Sequence, residues 1–356
     1  MKSYKQYSCL FIAIIGLFVI LNFICWHFFT SQSFEAFEHT GHGDILRMGG
    51  LPYIVSHTGQ SPYSYHHTGF WEYLDGGEEG HFDIITIGDS FSNDGGGAYY
   101  QDILSSEYGY SILNMPERLD AISTLYVLNE RGYIDKIKPK VIILESAESN
   151  VQRRFGGKII ESDAMSSIDI ANLTGRENHI DPTKQMPGMM VRANLRYINS
   201  LYHMKDNRGV VIRANLICDA FTPDGHENEL LFSITDMKYM QSKIDTDMVN
   251  ENFNRVAALM HEKGIEIVFF VAPNKLNLYY PFLDEEYKSQ CHENEFFDKM
   301  CDAKKDYIFM DTRALLRNAV MRGEKDIYWY DDSHWSWKAQ QIFCDALAKE
   351  LEKQVT

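Results

Sequence analysis

FDIITIGDSFSNDGGG, residues Phe82–Gly97, decides how the fold is read. The apolar run FDIITIG is short and isoleucine-rich, which predicts a buried strand rather than a helix. Gly-Asp-Ser follows at once. A loop holding Gly95, Gly96 and Gly97 comes next, before helix-like residues resume. Two readings of Ser90 are open at this point. Asp89 and Ser90 form an ordinary N-cap and turn. Alternatively, Ser90 is a nucleophile presented at a strand end, beside helix N–H groups that suit a developing oxyanion. In the second reading its own N–H is one donor, and the glycines, Gly95 first, let the loop bring another close. A serine hydroxyl is a weak nucleophile without a base, so this reading requires a histidine elsewhere in the chain.

Working outward, GGAYYQDILSSEYG reads as a helix closed by Gly109, YSILNM as a strand, and RLDAISTLYVLNERG as a helix ending at Gly132. KVIILES, IEIVFFVAP and YIFMDT supply three more strands, and the C-terminal WSWKAQQIFCDALAKELEKQ is amphipathic, with Ile342, Ala346 and Leu347 at helical spacing. A long helix is predicted from about Met237 to Lys263, closed by Gly264. Strands alternating with helices through short connections predict an α/β fold, a doubly wound, flavodoxin-like and mostly parallel sheet of about five strands. Residues 81–356 form this domain. An irregular polar insertion at about 147–236 is expected to shape a groove or meet a partner.

Length and composition narrow the rest. The chain has 356 residues, 45% hydrophobic and 13% aromatic, so a packed core is expected. A formal net charge of −16 leaves no basic face for nucleic acid. Residues 1–34 carry Lys2 and Lys5 and then a charge-free apolar stretch, about Cys9 to Phe29, long enough to span a bilayer. A signal peptide has a shorter apolar region and ends on small residues, whereas this one ends in ICWHFF. The stretch is read as an uncleaved anchor. Its two lysines place the N-terminus in the cytoplasm and the domain on the extracytoplasmic side. Residues 35–80 read as a linker. Six of the 13 histidines lie between His39 and His81, but their spacing is not that of a metal site. Four of the six cysteines lie outside the anchor. Cys291–Cys301 is the nearest pair that an oxidising compartment would permit to join, and unpaired buried thiols fit the sequence equally well.

A base for Ser90 stands in IYWYDDSHWSWKA. His334 follows Asp332 by two residues and Asp331 by three. A carboxylate on the same turn can hold one ring nitrogen so that the other faces the serine. Trp335 and Trp337 are candidates to wall the site. Ligands of doubly wound sheets bind beyond the carboxyl ends of the strands, and the other polar candidates follow strands too. They are Asn114, as an oxyanion donor, then Glu145, Glu148, Asn150 and Arg153, and finally Asn274, Lys275 and Tyr279. For each of these taken singly, a structural hydrogen bond is the alternative.

GDSF (Gly88–Phe91), PNKLNLY (Pro273–Tyr279) and DSHW (Asp332–Trp335) together resemble the SGNH, or GDSL-type, hydrolase superfamily. More narrowly they resemble its alginate O-acetyltransferase type, whose blocks are GDSF, Pro-x-Lys-x-x-x-Tyr and Asp-x-His-Trp. GDILRMGG (Gly43–Gly50) is similar to an upstream segment of membrane-anchored members. The resemblance implies an SGNH hydrolase fold with Ser90 as nucleophile, His334 as base and Asp332 as orienting acid, Asp331 being the rival acid. It implies a membrane-anchored O-acetyltransferase acting on a cell-envelope or exported polysaccharide through a serine acyl-enzyme. The alternatives are a carbohydrate acetylesterase and a non-catalytic glycan-binding or scaffold member. It also implies a glycan acceptor, a multipass membrane acyltransferase as partner, and no organic cofactor or metal. Three departures stand out. DSHW follows GDSF instead of preceding it, Glu148 is followed by Ser149 where the family pairs Glu with Arg, and NMPERLD has no oxyanion glycine.

Overall fold

A computed structural model describes residues 2–30, 43–45, 61–64, 66–77, 80–93, 99–116, 120–159, 191, 194–195, 198, 202 and 211–355. Gly95, most of the linker and much of the insertion lie outside these residues.

The strands are β1 (Thr68–Gly69), β2 (Ile84–Gly88), β3 (Ile112–Pro116), β4 (Val141–Ala147), β5 (Val211–Asn215), β6 (Glu229–Ser233), β7 (Glu266–Ala272) and β8 (Ile308–Met310). The helices begin with α1 (Lys2–Cys25), α2 (Phe70–Asp75), α3 (Ser90–Asn93), α4 (Tyr100–Tyr108), α5 (Ala121–Glu130), α6 (Tyr133–Ile137) and α7 (Glu148–Phe155). They continue with α8 (Ile234–Met240), α9 (Thr246–His261), α10 (Lys275–Tyr279), α11 (Glu285–Lys288), α12 (Phe296–Asp302), α13 (Thr312–Met321) and α14 (Trp337–Val355).

Six strands form one sheet in the order β1-β3-β2-β4-β7-β8, every pair parallel. The five strands expected from the sequence are all present. Numbered among themselves they run 2-1-3-4-5, the flavodoxin-like order, whose switch point lies between β2 and β4. The sixth strand, β1, is a two-residue edge piece.

Side chains along the central strands alternate between two buried clusters. Ile142, Leu144, Ile267, Phe269 and Val271 face α5, α7 and α9, through residues such as Leu125, Val151 and Phe253. Ile143, Val268 and Phe270 face α4 and α14, through Ile103, Phe343 and Leu347. Both faces are therefore covered, which is why these strands read as unbroken apolar runs.

Several elements differ from the expectation. The insertion contains regular structure: α7 opens it, and β5 and β6 pair antiparallel near its end. The single long helix is two helices, α8 and α9. Residues 241–245 separate them, and Asp245 caps α9 by accepting from Met248 N at 3.2 Å. On α14 the buried face is Ala339, Phe343, Leu347 and Leu351, with Ile342 and Ala346 at its margin. All six cysteines are free. Cys291 is buried against Tyr287 O, while Cys301 is exposed beside Asp311.

Tyr4–Phe28 is long and apolar enough to cross a membrane, and Phe11, Ile12, Leu17, Phe18 and Phe23 on it are exposed. At about 1.5 Å per residue the stretch exceeds the hydrocarbon thickness of a bilayer. An N-terminal helix of this kind is a single-pass anchor or a signal sequence.

Candidate active site at the carboxyl edge of the sheet

β2 ends at Gly88 because nothing larger fits there. A Cβ at this position would overlap the carboxylate of Glu145 and the hydroxyl of Ser92, with Ser92 Cβ only 2.9 Å away. The buried Glu145 accepts from Asp89 N at 2.9 Å and from Ser92 Oγ at 2.8 Å, which ties the end of β2 to β4. Asp89 performs the turn chemistry, its Oδ1 accepting from Phe91 N at 3.3 Å. Its Oδ2 accepts from Ala147 N (2.9 Å), Asn150 Nδ2 (3.2 Å) and Arg154 Nη1 (2.7 Å). Burial works to raise the Asp89 pKa, but the Ala147 N–H and the Arg154 charge hold it below the ordinary value. The two sequence readings of Gly-Asp-Ser thus fall on different residues. Asp89 makes the turn, and Ser90 is exposed with its hydroxyl directed at His334.

Ser90 Oγ lies 2.8 Å from His334 Nε2, and His334 Nδ1 lies 2.7 Å from Asp332 Oδ1. Asp332 Oδ1 also accepts from His334 N at 2.8 Å, which fixes the turn that carries the ring. Burial works to raise the Asp332 pKa. The facing imidazole and these N–H donors hold it below the usual carboxylate value. Phe91 packs against the imidazole with ring centroids 4.7 Å apart. Trp335 does not wall the site. It is buried, stacked on Phe270 and tilted against Phe343. Ser90 opens only a single turn, α3, and the helix expected at GGAYYQDILSSEYG begins at Tyr100 and closes at Gly109. The helix dipole at Ser90 is correspondingly small, and the oxyanion donor nearest in sequence is the Ser90 N–H itself.

Pro273, Lys275 and Tyr279 pack against residues 328–330, which lead into the turn that carries His334. Lys275 and Tyr279 are buried. Lys275 Nζ donates to Trp329 O (2.7 Å) and Tyr330 O (2.8 Å). Tyr279 OH accepts from Tyr328 N at 3.3 Å, and Pro273 O accepts from Tyr328 OH at 2.5 Å. Burial lowers the Lys275 pKa to about 8 despite the nearby charges of Asp331, Asp332, Asp44 and Asp236. Tyr330 OH donates to Glu229 on β6, and Asp326 N donates to Ala220 O at 2.9 Å, so the hairpin region braces the same turn.

Glu148 is also structural in its contacts. It is buried and accepts from Asn274 N (2.8 Å), Asn277 Nδ2 (2.6 Å) and Asn294 Nδ2, and burial pushes its pKa up. Arg154, on the same helix as Glu148, pairs with Asp89 at 2.7 Å. Asn114 Oδ1 accepts from Thr86 Oγ1 (2.8 Å) and Gln101 Nε2 (3.1 Å), and its Nδ2 donates to Asn93 Oδ1 (2.7 Å). Asn150 and Arg153 meet each other at 2.9 Å.

One site residue was not itself singled out from the sequence, although the segment that holds it, GDILRMGG, was. Asp44, from the stretch read as a linker, lies beside His334. Its carboxylate accepts from Ser333 N (2.7 Å) and Ser333 Oγ, and its Oδ2 is 3.8 Å from His334 Nδ1. Asp44 N donates to Asp332 Oδ2 at 3.2 Å. Burial and the neighbouring Asp332 charge push the Asp44 pKa up to about 6. The rival acid Asp331 faces this segment, accepting from Gly43 N at 3.4 Å. Among the described residues, Asp44, Asp332 and His334 bring three potential metal-ligand atoms within 4.8 Å of one another. Nδ1 and Asp332 Oδ1 already bond each other, and we assign no metal there.

No curated protein matches the chain. Residues 227–356 match a family model described as SGNH hydrolase-like domain, acetyltransferase AlgX. That stretch contains Lys275, Tyr279, Asp332 and His334, while Ser90 and Asp44 lie upstream of it. Over residues 227–356 the chain is therefore similar to an SGNH hydrolase-like domain of the AlgX acetyltransferase type, and these residues contribute β7 and β8 to the mostly parallel α/β sheet of a chain that begins with an apolar helix.

Proposed function

We propose that this protein is a membrane-anchored, extracytoplasmic O-acetyltransferase that works through an acyl-Ser90 intermediate and delivers the acetyl group to a carbohydrate hydroxyl of an envelope or exported polysaccharide. The observation that carries this reading is the Ser90–His334–Asp332 chain of hydrogen bonds, 2.8 and 2.7 Å long, beyond the carboxyl end of β2 at the switch point of the sheet. His334 Nε2 removes the Ser90 proton as Oγ attacks the acyl carbonyl. Asp332 holds the ring by Nδ1 and stabilises the imidazolium, which then protonates the departing group. In the second half, His334 deprotonates the acceptor hydroxyl, which attacks the acyl-serine and restores the enzyme. Acetyl donors are cytoplasmic, so the donor side requires a multipass membrane acyltransferase as partner. The exposure of Ser90 favours water as a second acceptor and hence an acetylesterase reading.

The test is acetyl release from p-nitrophenyl acetate by the full-length protein in detergent. Ser90→Ala and His334→Ala are each expected to fall by at least about 10³-fold, and the double variant no further, because triad members act as a unit. Oligosaccharide acceptors added to the wild type then divide transferase from esterase. Wild-type turnover no faster than that of Ser90→Ala would overturn the catalytic reading and leave a glycan-binding or scaffold protein.

A further inference from the structure

Residues 43–45, which the sequence reading placed in a linker, are built into the site rather than merely leading to it. Ile45 is fully buried in the core, and Ile45 N donates to Asp331 O at 3.2 Å. Gly43 sits so close to the base-bearing turn that a Cβ there would overlap the Asp331 carbonyl and come within 2.7 Å of Asp332 N. Between them, Asp44 touches three consecutive residues of that turn. Its N–H holds Asp332 Oδ2, leaving Oδ1 for the imidazole. Its carboxylate takes both donors of Ser333, the residue that joins the acid to the base. Its charge lies 3.8 Å from His334 Nδ1.

We propose that Asp44 is a positioning residue of the acyl-transfer site, acting through Ser333 and Asp332 to orient His334, so that residues 43–45 are an integral part of the active centre. The proposal rests on the acyl-transfer reading above. Ser333 bound at two atoms fixes the backbone between Asp332 and His334, and a carboxylate anchored at both oxygens cannot rotate away from Nδ1. The ionisable groups that bear on Asp44 are Asp332, His334 and Asp236, with Asp331 and Lys275 behind them.

The test compares Asp44→Asn, Ser333→Ala and Ser90→Ala in the full-length protein, following kcat, KM and the pH profile of p-nitrophenyl acetate hydrolysis. Asp44→Asn keeps the shape but removes the charge. We expect kcat to fall about 10–100-fold, as for a small misplacement of reacting groups, with KM nearly unchanged. The acid limb of the profile should move about one unit lower, because a cationic His334 has lost a nearby negative charge. Ser333→Ala, which removes one of the two donors, should fall between this variant and wild type. A lowered plateau with an unmoved limb would make Asp44 merely structural and overturn the proposal. So would wild-type values for Asp44→Asn beside an inactive Ser90→Ala, a result that leaves the acyl-transfer reading standing. Should Asp44→Asn fail to fold, wild-type kinetics of Ser333→Ala would overturn it instead. Full activity of Ser90→Ala would remove the acyl-transfer reading and this proposal together.

Discussion

Replacing Lys275 by methionine keeps the volume of the side chain and removes its charge and its donors. Trp329 O and Tyr330 O, held at 2.7 and 2.8 Å in the native protein, lose their partner, at about 1–3 kcal/mol each. Asp331 and Asp332 lose a buried counter-charge, a class of change that costs about 3–5 kcal/mol. The opposing effect is relief of the ammonium's desolvation. A pKa lowered from 10.5 to about 8 corresponds to about 3 kcal/mol. The losses outweigh the relief, and the variant is expected to be less stable by about 2–8 kcal/mol at pH 7, which lowers Tm by about 4 °C or more. The pH dependence gives a sharper signature. Between pH 8 and 10.5 the folded lysine is neutral while the unfolded one still binds its proton, so wild-type stability gains about 1.4 kcal/mol per pH unit from this residue. The variant lacks that gain. The stability gap between the two proteins should therefore be flat below pH 8 and widen by about 3 kcal/mol towards pH 10.5. Urea denaturation followed by tryptophan fluorescence at several pH values measures it. An unchanged Tm would refute the view that Lys275 holds the turn that carries His334, and a gap that narrows as pH rises would refute the lowered Lys275 pKa.

Asp332→Asn should lower kcat by about 10⁴-fold through loss of the imidazole's orienting acceptor, while Asp331→Asn, whose carboxylate faces Gly43, should lose far less; steady-state acetyl release by the two variants checks the order. Gly88→Ala places a methyl group against Glu145 and Ser92 and should destabilise by about 1–3 kcal/mol, with a matching loss of Ser90 reactivity towards a fluorophosphonate probe.

The parallel sheet was legible because buried strands such as VIILESA and EIVFFVA need apolar residues on both faces. β1 has two residues, too few for any periodicity to mark it. In β5, Arg213 interrupts the apolar pattern, and its partner β6 lies beyond a long polar connection, so the pair looked irregular. At the site, the serine and the Asp-x-His turn stood out because their chemistry is local. Lys275 and Tyr279 were singled out by residue type, with a substrate contact and a structural hydrogen bond both open. Only the packing shows their polar atoms turned inward onto residues 328–330. Asp44 lies in GDILRMGG, which the resemblance to membrane-anchored members marked as a segment, but nothing marked the residue: its contact with Asp332 spans 288 positions. Arg154 was invisible for a similar reason, since it reaches Asp89 across 65 positions.

The hydrogen bond between Ser90 and His334 also sets a timetable. The two residues are 244 positions apart, so at about 5–20 residues per second the serine is synthesised roughly 12–50 s before its base. Through that interval its hydroxyl is no more nucleophilic than any other serine. On the proposed reading a growing chain is chemically silent until His334 has been made, and a chain that stops short of that residue stays so.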